Sequence, residues 1–203
     1  GHIPKARYAN DRLDFDGTLT AHMFDGTVLV SGLSMERPFG TAPTLSADIV
    51  LDDMDLQSLT EVFGYGEINS ALDGSIRQLR LVDWSAQAFD TELHTDPTWK
   101  GRQRISQRAV QDLSSVGGNA GGLGNSLQAQ ALKLFDDFGY RQIGISCRLA
   151  EEVCEMDGLS SAANRFIIVQ GSGFPRLGVV GFNRRVDWPT LVQRLVDVTQ
   201  GDS

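Results

Sequence analysis

Apolar and polar residues alternate through most of the first 95 positions, the period-2 signature of strands with one apolar face. Residues 13–33, LDFDGTLTAHMFDGTVLVSGL, are punctuated by Asp16–Gly17 and Asp25–Gly26. Asp-Gly between alternating segments marks a tight hairpin turn, because the central residues of such turns take positive φ. A hairpin is therefore expected at 24–27, with 27–32 as its second strand and SMERPFGTAP, 34–43, as a loop. The next strand, 44–51, places Leu45, Ala47, Ile49 and Leu51 on one face.

The period then changes. Asp55 precedes LQSLTEVF, where Leu56, Leu59, Val62 and Phe63 recur at helical spacing, and Gly64 follows at once. That predicts a short helix with an aspartate N-cap and a glycine C-cap. GYGEINSALDGSIRQLRLVDW, 64–84, reads as a strand at 67–72, an Asp73–Gly74 turn and a strand at 76–84, followed by another at 87–94. Ile76 is out of phase with Leu79 and Leu81, so a bulge near Arg77–Gln78 is expected to restore the face.

Residues 95–124 combine the polar run TDPTWKGRQ with the glycine-dense SSVGGNAGGLGN and read as a connection. The division expected is 1–95 as a β part, 96–124 as the connection and 125–203 as a C-terminal α+β part. In the last part a helix capped by Asn125 or Ser126 runs to Phe138, with Leu127, Ala131, Leu134, Phe135 and Phe138 on one stripe and Gly139 as its stop. RFIIVQGSG and LGVVGFN follow as buried strands around Pro175, and a last helix starts at Asp187 with Pro189 in its first turn. The fold class is mainly β with α: a curved, open antiparallel sheet, groove-like, with about three helices packed on it.

Composition narrows the function. The chain of 203 residues is 41% hydrophobic and 22% charged, as globular proteins are. Its 18 basic and 26 acidic residues give a net charge of -8, which disfavours nucleic acid. No apolar run approaches the length of a membrane-spanning helix. Gly1–His2 reads as a cloning remnant, and the sequence as a piece of a longer protein. Cys147 and Cys154 flank a polar turn in ISCRLAEEVCEMDG, a spacing wrong for a zinc or redox CxxC pair. Facing each other across a hairpin, they can close a disulfide, which persists in an oxidising compartment; two free buried thiols are the alternative.

Catalytic constellations are not evident. His2, His22 and His94 are scattered, no GxSxG elbow occurs, and Gly117–Ser126 lacks the GK[ST] ending of a phosphate loop. Asp52, Asp53 and Asp55 lack the spacing of a calcium loop and suit a helix N-terminus. Neither metal nor cofactor is expected, and the protein reads as a non-enzyme.

The order from Ala47 to Thr95 is a strand ending in Asp52–Asp53, a helix over Leu59–Phe63, then Gly64, Gly66, Ile68, Leu72, Gly74, Leu79 and Leu81. It resembles a unit near the C-terminus of the AsmA/TamB/YdbH-like family, bacterial relatives of bridge-like lipid-transfer proteins. RISQRAVQDLSSVGG, LKLFDDFGYRQIGISCRLAEEVCEMDG and GFNRRVDWPTLVQRL are similar to the terminal portion of YdbH-like members. The resemblance implies a periplasmic bridge carrying phospholipid between membranes, with acyl chains on the apolar sheet face. The lining residues would be Val28, Leu45, Ile49, Ile68, Leu72, Leu79 and Leu81. It also implies docking, at the C-terminal end, to a small outer-membrane lipoprotein. The alternative is an interaction module whose apolar face is closed by its own helices and whose free strand edge does the binding.

Overall fold

The computed structural model describes residues 5–116, 135–162, 165–174 and 176–200. Its first strands, β1 (Lys5–Ala9), β2 (Arg12–Asp16), β3 (Leu19–Met23), β4 (Gly26–Glu36) and β5 (Thr44–Asp55), form a meander, with β2 and β3 sharing one edge of β4. Helix α1 (Leu56–Phe63) interrupts before β6 (Ala71–Val82) and β7 (Ser85–Thr95) resume the sheet. A short β8 (Arg104–Ser106) leads into α2 (Gln107–Val116). The chain continues as β9 (Asp137–Ala150), β10 (Val153–Gly158), β11 (Ser160–Ala162), β12 (Arg165–Gly171), β13 (Val179–Gly181), β14 (Arg185–Asp187) and α3 (Trp188–Gln200). The strands make one open 14-stranded sheet with the main path β1-β2-β4-β5-β6-β7-β9-β10-β14, antiparallel throughout. This is the mainly β, open-sheet architecture the alternation predicts.

Local chemistry explains the ends of α1. The Asp55 carboxylate accepts from the Ser58 N–H at 2.7 Å, satisfying a donor the first turn leaves free. Gly64 at φ 70 closes the helix in the left-handed conformation. The expected bulge is present: the β6–β7 register shifts between Arg77 and Arg80, with Gln78 at φ 52. Matching shifts lie between Ser31 and Ser34 in β4, where Gly32 has φ 59, and between Ala47 and Ile49 in β5. The bulges thus line up across neighbouring strands, and Asp48 pins the row by accepting from the Gln78 N–H at 2.7 Å. Bulges bend their strands and sharpen the twist, so this row curves the sheet.

Several expectations are corrected. Asp73–Gly74 is not a turn: β6 runs straight through it, and residues 67–70 lie outside β6, with Ile68 bridging Ile105. The glycine answers a close approach, since a Cβ there would lie 2.6 Å from the Glu92 carbonyl oxygen. The turn between β3 and β4 is centred on Phe24–Asp25, both at positive φ, while Gly26 begins β4, where an added Cβ would lie 2.7 Å from the β5 backbone. The connection after residue 95 contains β8 and α2, whose Ile105, Ala109 and Val110 are fully buried. Phe138 and Gly139 lie in β9 rather than at a helix end, because Phe138 pairs with Ile105 and fills the core. The other helical positions expected there, up to Leu134, lie outside the described residues. Asp187 accepts from the Thr190 N–H at 3.1 Å, as a cap of the last helix should.

Candidate functional site

Side chains alternate across a strand, so register decides which residues share a face. Leu13, Met35, Leu45, Leu81 and Ala86 fall in one row from β2 to β7. Leu19, Val30, Ile49, Ile76 and Thr91 form another, and Ala21, Val28, Leu51, Gly74 and Leu93 a third. Ala47 and Leu79 pair between the first two rows. Not one of these side chains carries a charge.

The opposite face is built from different chemistry. Arg77, Asp90 and Arg148 stand in a row across β6, β7 and β9, with Asp90 bridging both guanidinium groups at 3.7 and 3.1 Å. Arg184 bonds Asp157 at 2.5 Å, and Arg185 faces Glu155 at 3.9 Å. Asp90, Arg148, Glu155, Asp157, Arg184 and Arg185 line a polar depression of about 420 Å³ in which each guanidinium already meets a carboxylate. Such exposed pairs are worth roughly 0–1 kcal/mol each and keep this face wetted. One face excludes charge and the other alternates it.

The apolar face is divided in its turn. Toward the C-terminal strands it is closed: Phe138, Tyr140, Ile143, Leu149, Cys154, Met156, Phe166, Ile168 and Val169 form a buried cluster with residues of α1, α2 and α3. Trp188 of α3 lies edge-on to Phe89 at 5.2 Å, closing the face over β7. The Tyr140 hydroxyl donates to the Asn69 carbonyl at 2.9 Å, and burial pushes its pKa up to about 12. Cys147 and Cys154 are joined in a disulfide across β9 and β10, around a turn at Glu151–Glu152.

The expected lining residues sort along that division. Ile68 (5% exposed) and Leu72 (8%) belong to the closed cluster and are sealed by protein. Val28 stands at its margin. Leu45, Ile49, Leu79 and Leu81 are half-buried and outside the cluster, each flanked by its sheet neighbours. The register brings these four together over β5 and β6; Met35, Val30 and Ile76, which alternation could have found, complete the surface.

Among the described residues no group of His, Cys, Asp or Glu is arranged to hold a metal ion. No described helix is long and apolar enough to cross a membrane. No family model matches the chain, and comparison with curated proteins and with solved structures found no match either.

Proposed function

We propose that the chain is the C-terminal segment of a periplasmic bridge for phospholipid, and that acyl chains lie on the uncharged rows over β4, β5 and β6. The observation that carries this reading is the extent of those rows: Leu45, Ile49, Leu79 and Leu81 continue the face of a closed core but stand outside it. Contiguous apolar surface left accessible in this way marks a binding surface. Acyl chains suit it because the rows offer hydrophobic contact and no side-chain charge to discriminate among ligands. The Cys147–Cys154 disulfide and the lack of a membrane-spanning helix among the described residues are compatible with an extracytoplasmic location.

A second reading, docking of a small outer-membrane lipoprotein by strand addition, is favoured by the outer edges of β1 and β3, which among the described residues pair only inward, with β2 and β4.

Native mass spectrometry of protein purified from lipid-rich cells tests the first reading. Phospholipid adducts should accompany the wild type and be lost in the double variant Ile49→Asp, Leu79→Asp. A wild type that is free of lipid, or adducts that survive both charges, would overturn it.

A further inference from the structure

At one end of the sheet, three connections are tied together. The Arg37 N–H donates to the Asp11 carbonyl at 2.7 Å and the Asp83 N–H to the Pro43 carbonyl at 2.9 Å, so the β1–β2, β4–β5 and β6–β7 connections form one continuous rim. The rim carries three rings that the fold does not bury: Tyr8 is 54% exposed, Phe39 88% and Trp84 67%. Tyr8 and Phe39 meet edge-on with centroids 6.0 Å apart. Trp84 occupies a two-residue turn with Asp83, at φ 63 and 49. Tight turns of this kind favour Asn-Gly, and a bulky aromatic in the left-handed region is sterically costly. The fold gains neither burial nor ease of turning from Trp84.

The rim also adjoins the open apolar rows. The row Leu13, Met35, Leu45, Leu81 is the last before it, and Tyr8 extends that row onto β1 through its pairing with Leu13. Charge decides which partner fits. The Tyr8 hydroxyl donates to Asp11 at 3.1 Å, Arg12 pairs with Asp14 at 2.8 Å and Glu36 at 3.1 Å, and Arg37 donates to Thr44 at 3.4 Å. Arg12 is thus paired with carboxylates while Arg37 meets only a neutral hydroxyl, and a chain of net charge -8 is repelled by an anionic surface. Amphipathic rings on projecting turns of an acidic chain match a zwitterionic headgroup layer, where Trp and Tyr favour the boundary between headgroup and acyl chain.

The geometry points to a membrane-contacting rim: Tyr8, Phe39 and Trp84 seat in the interface of a zwitterionic bilayer and bring the open rows to the acyl chains. The inference rests on the acyl-chain reading of those rows, and its test reads a different quantity. Flotation with pure phosphatidylcholine vesicles at physiological ionic strength should carry the wild type upward. Phe39→Ser with Trp84→Gly should reduce the floating fraction by about tenfold, given the apolar area of two rings. Glycine suits the positive φ at position 84, so the turn is kept and the circular dichroism spectrum should not change. Phe174→Ser, at an exposed ring outside the rim, should float like the wild type. The inference is overturned if the wild type stays at the bottom, if the double variant floats equally well, or if flotation needs anionic lipid. A wild type that carries lipid adducts in the mass spectrometer yet never floats would remove the rim and leave the acyl-chain surface standing.

Discussion

The two halves of one sheet use the same alternation for different ends. In β9, β10 and β12 the inward positions Phe138, Ile143, Cys154, Phe166 and Ile168 are sealed by α2, α3 and neighbouring strands. In β4, β5 and β6 the equivalent positions Val30, Leu45, Ile49, Ile76, Leu79 and Leu81 are equally apolar, yet they stop short of the sealed cluster. Strand pairing is as complete in the open half as in the closed one, so backbone hydrogen bonding does not separate them. What separates them is the second layer. Helices sit over the C-terminal strands, and the sheet extends beyond their cover. A face that is apolar but only half-buried gains less from folding than the sealed core does, which is why it is read as serving a ligand.

That contrast predicts unequal costs for equal truncations. Phe166→Ala, at a side chain with 0% exposure, should lose about 3–5 kcal/mol in urea unfolding. If Leu79→Ala loses as much, the two halves are equally closed and the comparison fails. Reducing the disulfide should cost about 2–3 kcal/mol by the chain-entropy argument for so short a loop, seen as a lower Tm in reductant, and should leave the rows over β4–β6 unchanged.

The buried Tyr140 sharpens the contrast through pH. Its folded pKa of about 12 exceeds the ordinary 10, so the folded state keeps a proton that the unfolded state gives up. The stability this provides is whole below pH 10 and is lost as pH rises from 10 to 12, on the order of 2 kcal/mol. Tyr140→Phe should flatten that decline between pH 10 and 12; an unchanged slope would mean the hydroxyl is not sealed. The smallest effect is expected from Leu79→Ala itself, at or below about 1 kcal/mol, since that side chain is only half-buried and stands outside the sealed cluster.

Much of this layout is legible in the sequence where one physical signal dominates. Asp55 and Gly64 bracket α1 because a helix start needs an acceptor and its end tolerates positive φ. The phase slip between Ile76 and Leu79 announces the bulge at Gln78, since alternation cannot otherwise hold both on one face. Other signals are ambiguous by nature. Asp73–Gly74 has the composition of a turn, but its glycine makes room for the β7 backbone, and only the neighbouring strand reveals that. Helix α2 hides behind Gln107, Arg108, Gln111 and Asp112, although Ala109, Val110, Leu113 and Val116 recur at helical spacing. Alternation identified Leu45, Ile49, Leu79 and Leu81 as face residues together with Ile68 and Leu72. Which of them the helices cover is a matter of tertiary packing, which periodicity does not encode.

The most direct test of that division is a photocrosslinking scan with a diazirine amino acid at single positions of both halves, in cells whose phospholipid is radiolabelled. Positions 45, 49, 79 and 81 should capture lipid, and positions 68 and 72, sealed in the core, should not. Equal capture at both sets, or none at the first, would contradict the account.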